Sequence, residues 1–316
     1  MDFEIYSEIV PQIPKLYHYT SQAGLLGIVK YKKLWFTNIH YMNDSSEYTC
    51  SLELIEAALK KYYNLGEEFY KLFPDGKESE PIFSFSLSEA GDLLSQWRGY
   101  CPNGGYSIAL FDQYNLNQIN SMMKECHLYI GKCLYKPEQI EDFVMNKIVQ
   151  STPEEVANSI KRFSQENDTY NLKQSLYETI LDNIVKYAPL IKNEAFEGEQ
   201  EWRIVANHAE PRKLPRRFIK NIEAVASTTS ITLSWTNAEE YIPFEAVKES
   251  LKFREGKSFL IPYLEIPLAQ GDYSINISEI IIGPTPHKEL SRDACGLLLN
   301  IDLNNIIPSK IPYRTW

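Results

Sequence analysis

Cysteine is scarce and scattered. Cys50, Cys101, Cys126, Cys133 and Cys295 make an odd number, and no CxxC pair occurs. That pattern excludes a disulfide framework and a structural zinc site as the device organising the fold. Long apolar runs are missing too. No stretch of about 18 apolar residues occurs, so no membrane-spanning helix and no membrane partner are expected. The opening MDFEIYSEIV carries acids where a secretory signal would carry a basic region, so a reducing cytoplasm is the expected location. Walker, GxGxxG, GxSxG and HExxH motifs are all absent, which leaves P-loop, dinucleotide-fold, serine-hydrolase and zinc-protease chemistry without support. There is no internal repeat, no low-complexity segment and no Pro/Gly/Ser linker.

What is present is an ordinary globular composition. The 316 residues are 44% hydrophobic and 23% charged, which excludes a disordered tail or a coiled-coil rod. The net charge is −10, with a pI near 5.2. Acidity of that size argues against a surface tracking a nucleic-acid backbone along its whole length. One local exception stands out. PRKLPRRFIK, residues 211–220, carries five positive charges and no acid, so the rest of the chain sums to −10 − 5 = −15. Tyrosine, at 21, outnumbers glycine, at 14.

The texture is strand-like and turn-rich at both ends, as in KLWFTNI, PIFSFSLS, GYSIALF, QEWRIVAN and ISEIIIG. Between Pro137 and Ala195 apolar residues recur at three- and four-residue spacing. The expectation is one α+β domain over residues 1–316. Its mixed or antiparallel sheet would be assembled from both ends of the chain, with residues 137–195 as a helical insertion.

Five segments hold the candidate chemistry. In LYHYTS, a strand would set His18 and Thr20 on one face and Tyr17 and Tyr19 on the other. Thr20 or Ser21 would then cap the helix GLLGIVKY. In NDSSE, Asp44 and Glu47 have capping-box spacing, which leaves Asn43 unexplained by the cap. In FSFSLS, Phe83, Phe85 and Leu87 alternate with Ser84, Ser86 and Ser88. LLSQWRGY then reads as a short helix bearing Trp97, Arg98 and Tyr100. In EGEQEWRIV, a strand would point Glu199, Glu201, Arg203 and Val205 one way, with Glu201 at a cleft floor and Arg203 holding its charge. The fifth segment is the basic run at 211–220, which suits a phosphate, a nucleic acid or a protein acceptor.

LYHYTS, KLWFTN followed by ND and a glutamate, FSFS with a downstream tryptophan and tyrosine, EWR, IIIGP and SKIPYR occur in this order. Together they resemble a bacterial family of unknown function, DUF2971. A more distant likeness is to the ADP-ribosyltransferase fold, with its early H-x-T strand, its middle-strand serine or tyrosine and its late glutamate. That resemblance implies NAD as substrate and no metal. His18 and Thr20 would hold the riboses, Ser86 would match the middle serine, and Tyr100 or Tyr106 would stack on the nicotinamide. Tyr19 and Asn43 join the ligand-binding candidates. Arg98 or Arg203 would meet the pyrophosphate, and Glu201, with Glu199, would be catalytic. The implied activity is ADP-ribosyl transfer or NAD hydrolysis by an intracellular effector of the toxin or phage-defence kind. A nuclease or phosphate-transfer enzyme, and a non-catalytic nucleotide- or protein-binding module, are the alternatives.

Overall fold

The computed structural model describes residues 5–6, 12–42, 47–63, 82–149, 186–207, 250–299 and 301–312. Among the described residues thirteen strands occur in this order: β1 (Ile5–Tyr6), β2 (Leu16–Ser21), β3 (Lys33–Asn38), β4 (Ile82–Ser88), β5 (Gly105–Phe111), β6 (Leu128–Lys132), β7 (Glu201–Asn207), β8 (Lys252–Glu255), β9 (Leu260–Pro267), β10 (Ala269–Gln270), β11 (Tyr273–Ser274), β12 (Glu279–Ile282) and β13 (Ile306–Pro308). The α-helices are α1 (Gln22–Tyr31), α2 (Glu47–Tyr63), α3 (Leu94–Tyr100), α4 (Leu116–Glu125), α5 (Pro137–Val144) and α6 (Lys288–Leu299). The fold is α+β. Among the described residues, no helix is long and apolar enough to cross a membrane.

One large sheet has the order β1-β6-β7-β4-β2-β5-β12-β13, and β3, β9 and β8 branch from β4. All its strand pairs are antiparallel except β12 with β13. Early strands and late strands therefore share one sheet, as the strand-like texture at both ends implies. The alternation seen in FSFSLS is the alternation observed. Phe83, Phe85 and Leu87 enter the main core with Trp202, Ile204 and Ala206 of β7. α1, α4 and α6 cover that face through Leu25, Ile28, Ile119, Met122, Met123 and Cys295. Ser21, not Thr20, caps α1, with its hydroxyl accepting from Gly24 N at 3.1 Å.

The opposite face is closed at one side by a smaller cluster. There α3 lays Trp97 against Tyr19, Cys101 and Ile281. Trp97 Nε1 donates to Asp92 at 2.7 Å, which satisfies the buried indole. The same carboxylate accepts from Ser309 Oγ at 2.6 Å and from Lys310 N at 2.8 Å. The segment after β13 thus ties down the loop that starts α3. Of the expected helical insertion, α5 and a following π-helical turn (Met145–Val149) are helical, and residues 150–185 lie outside the described residues.

β4 is forked along one edge. Near its start it pairs with β3, Asn38 opposite Phe83 and Thr37 opposite Ser84. At its end it pairs with β2 through Tyr17 opposite Ser88. Ser86 sits in the gap. Its carbonyl has no ladder partner on that edge and accepts from His18 instead, at 3.0 Å. A buried carbonyl without a partner would be costly, so the imidazole completes the sheet where the strands part.

Candidate functional site

The fork opens into a solvent-open pocket lined by Tyr17, His18, Tyr19, Ser86, Leu87, Ser88, Gln96, Tyr100, Glu199 and Glu201. β2, β4, β7, α3 and the turn before β7 all contribute. The opening between strands lets His18, on the core side, and Glu201, on the other side, line one space.

His18 stacks on Phe85, with ring centroids 4.3 Å apart. Its Nδ1 faces a carbonyl, which can only accept, so the proton is on Nδ1. Burial holds the imidazole down at about 4 despite the bond to Ser86 O. At neutral pH the ring is uncharged, and Nε2 is an acceptor with no partner among the described residues.

Glu201 is buried, and three donors meet its carboxylate. Arg203 Nε reaches Oε1 at 3.0 Å, Arg203 Nη2 reaches Oε2 at 3.1 Å, and Lys192 Nζ reaches Oε2 at 2.6 Å. Burial by itself would raise this carboxyl, but Arg203 and Lys192 outweigh it and hold the group down at about 2. Three of roughly four lone-pair sites are engaged, so one on Oε1 is open. Lys192 also bonds Glu199 Oε2 at 2.6 Å. Glu199 is the more accessible of the two, its side chain 19% exposed against 5% for Glu201. Its Oε1 has no partner among the described residues.

The expected strand face through Glu199, Glu201 and Arg203 is corrected in one respect. Glu199 ends a 3-10 helix, Glu194–Glu199, and Gln200 takes a left-handed conformation at φ 48° before β7 begins. Period-two alternation does not cross that residue. Glu199 is placed by the turn, by Ser88 Oγ donating to its carbonyl at 2.7 Å, and by Lys192.

Other expected residues lie elsewhere. Thr20 is buried under α1, where a Cβ on Gly24 would lie 2.1 Å from its hydroxyl, and it does not line the pocket. Arg203 is fully enclosed, its third nitrogen donating to Pro189 O at 2.6 Å, so it braces Glu201 and cannot reach a pyrophosphate. Arg98 is exposed and outside the lining. Tyr106 points to the core side against α6, and burial pushes its hydroxyl up to about 12 beside Cys295 and Ser291. Tyr100 alone of the two candidate stacking tyrosines lines the pocket, 41% exposed at the rim. Tyr19 lines it as well, but its hydroxyl donates to Ala90 O at 2.7 Å and accepts from Leu93 N at 2.9 Å. Asn43 and the basic run at 211–220 lie outside the described residues.

Two residues at the site escape sequence reasoning. Lys192 neighbours two acids only through the chain's return to β7. Gln96 is a polar residue beside Trp97 in a short amphipathic helix, and its burial is the signal that singles it out. Among the described residues no group of three or more His, Cys, Asp or Glu is placed to hold a metal ion. All five cysteines are free thiols.

Residues 96–204 match the model of a family described as a protein of unknown function, DUF2971. The matched stretch contains Gln96, Tyr100, Lys192, Glu199, Glu201 and Arg203, while His18 and Ser86 precede it. No curated protein and no solved structure matches the chain.

Proposed function

We propose that the pocket binds NAD or a related nucleotide and cleaves its nicotinamide–ribose bond, passing ADP-ribose to water or to an acceptor. The observation that carries this reading is the meeting of His18, Ser86, Tyr100, Glu199 and Glu201 in one pocket at a sheet fork. The ADP-ribosyltransferase likeness of those motifs supplies the chemistry. As the C–N bond breaks, its electron pair stays with nicotinamide and positive charge builds on the ribose. A carboxylate accepting from a ribose hydroxyl stabilises that charge more than the ground state. Glu199 Oε1 is open for this role, and Glu201 is the fixed anion behind it. His18 Nε2 accepts from a second hydroxyl, and Tyr100 flanks the leaving group. A water or acceptor oxygen then bonds the ribose carbon and passes its proton to Glu199, which releases it to solvent as nicotinamide leaves. The acceptor is proposed to dock at residues 211–220.

Nicotinamide release from labelled NAD, with and without lysate protein, tests the reading. Glu199→Gln is expected to cut release at least ~100-fold, in the range of losing a transition-state electrostatic contact, with an unchanged melting temperature. Absence of release by the wild-type chain, or full release by Glu199→Gln, would overturn it. A second reading, nucleotide binding without turnover, is favoured by one observation. Glu201 is already neutralised by Arg203 and Lys192. Stabilisation by NAD without nicotinamide release would select it.

A further inference from the structure

Gln96 is 7% exposed, lines the pocket from α3, and makes no side-chain hydrogen bond among the described residues. Its carboxamide atoms are not fully enclosed, so with no partner among the described residues they are open toward the pocket. Trp97 and its bond to Asp92 fix the helix that presents it. Among the described residues the same pocket is lined by two carboxylates and by no lysine or arginine. The nearby cations, Lys192 and Arg203, are held by Glu199 and Glu201. A phosphate placed inside would meet no cation among the described lining residues, and the two cations nearest to it are already paired with carboxylates. The open groups are instead suited to hydroxyls and amides: His18 Nε2 and Glu199 Oε1 accept, and Gln96 both donates and accepts.

We infer that the pocket takes the phosphate-free nucleoside end of its ligand, and that Gln96 reads a planar edge presenting a donor beside an acceptor. A carboxamide on the nicotinamide riboside end has such an edge, and so has adenine at its amino group and ring nitrogen. The inference rests on the nucleotide reading of the pocket and adds which part enters it and which residue selects it. The phosphates are left outside the fork.

Calorimetric titration of the full chain with two nucleoside pairs tests this. The pairs are nicotinamide riboside against nicotinic acid riboside, and adenosine against inosine. The wild-type chain is expected to prefer the amide or amino member of one pair by about tenfold or more, the worth of one net hydrogen bond. The preferred pair identifies which end enters. Gln96→Leu, and the unbranched Gln96→Met as a guard against misfolding, are expected to bring that ratio close to one while the melting temperature holds. No nucleoside binding, no preference, a ratio unchanged in both variants, or displacement of the nucleoside by inorganic phosphate would each overturn the inference. Loss of nicotinamide release with the nucleoside preference intact rejects bond cleavage alone. Release that persists with no Gln96-dependent preference rejects this inference alone.

Discussion

At the scale of single residues, Glu201 and Arg203 act as a pair. Arg203 is fully enclosed, and its fork holds both Glu201 oxygens in place. Removing one member of a buried pair leaves the other charge uncompensated, which costs about 3–5 kcal/mol. Arg203→Met is therefore expected to lose stability of that order in urea denaturation, with Pro189 O also left without its donor. Two pH windows follow from the same region. Between 6.5 and about 4 the unfolded chain takes up a proton that buried His18 refuses, so stability falls as pH drops through that range. Between 4.5 and about 2 the unfolded chain protonates a carboxyl that Glu201 keeps ionised, and stability falls again. Denaturation midpoints measured from pH 7 to pH 3 should decline across both windows. His18→Phe should make the upper window shallower and leave the share set by His40, which burial also lowers.

At the scale of elements, the turn into β7 shapes the site. Gln200 is a non-glycine residue at φ 48°, and this conformation lets consecutive carboxylates of a 3-10 turn and a strand share Lys192. Left-handed backbone costs about 1–2 kcal/mol for an ordinary residue, and β-branching makes it worse. Gln200→Gly is expected to be neutral or stabilising, whereas Gln200→Val is expected to lower stability by roughly 1–2 kcal/mol, read from chemical denaturation. Gly105 is constrained differently. A Cβ there would sit 2.5 Å from the Thr20 carbonyl oxygen and 2.8 Å from Cys101 Sγ. Gly105→Ala must push β2 and β5 apart, and a loss of about 1–3 kcal/mol is expected by the same measurement. The sequence pattern shows the serine and phenylalanine faces of β4, and likewise the alternation of Glu201, Trp202, Arg203 and Ile204. It does not show the Gln200 turn, because a left-handed residue leaves no mark on an alternation except where it interrupts it.

At the scale of the whole molecule, β13 pairs with β12 in the sheet that also holds β2, and the residues after it fasten the loop before α3. Ile306 is buried, and Ser309 and Lys310 hold Asp92, which in turn holds Trp97 of the helix carrying Gln96 and Tyr100. Removing residues 306–316 strips one buried isoleucine and these bonds. A melting temperature lower by about 5 °C or more is expected from a loss of a few kcal/mol. The proposed nucleoside binding should weaken with it, and calorimetry on the shortened chain checks both.

The sequence alone determined the local pattern. It set which residues alternate along each strand, the α+β character, the scattered thiols and the early histidine and late glutamate, because each rests on near neighbours in the chain. Tertiary structure decided the rest. It selected Tyr100 over Tyr106 by turning one toward the fork and the other toward α6. It placed Thr20 and Arg203 outside the pocket lining and made Arg203 a brace for Glu201. It brought in Lys192 and Gln96, which no motif marked. The physical reason is that a pocket depends on which strands separate and on which buried polar groups lack partners. Both are set by pairings between residues far apart in the chain, among them Ser86 with His18 and Lys192 with Glu201.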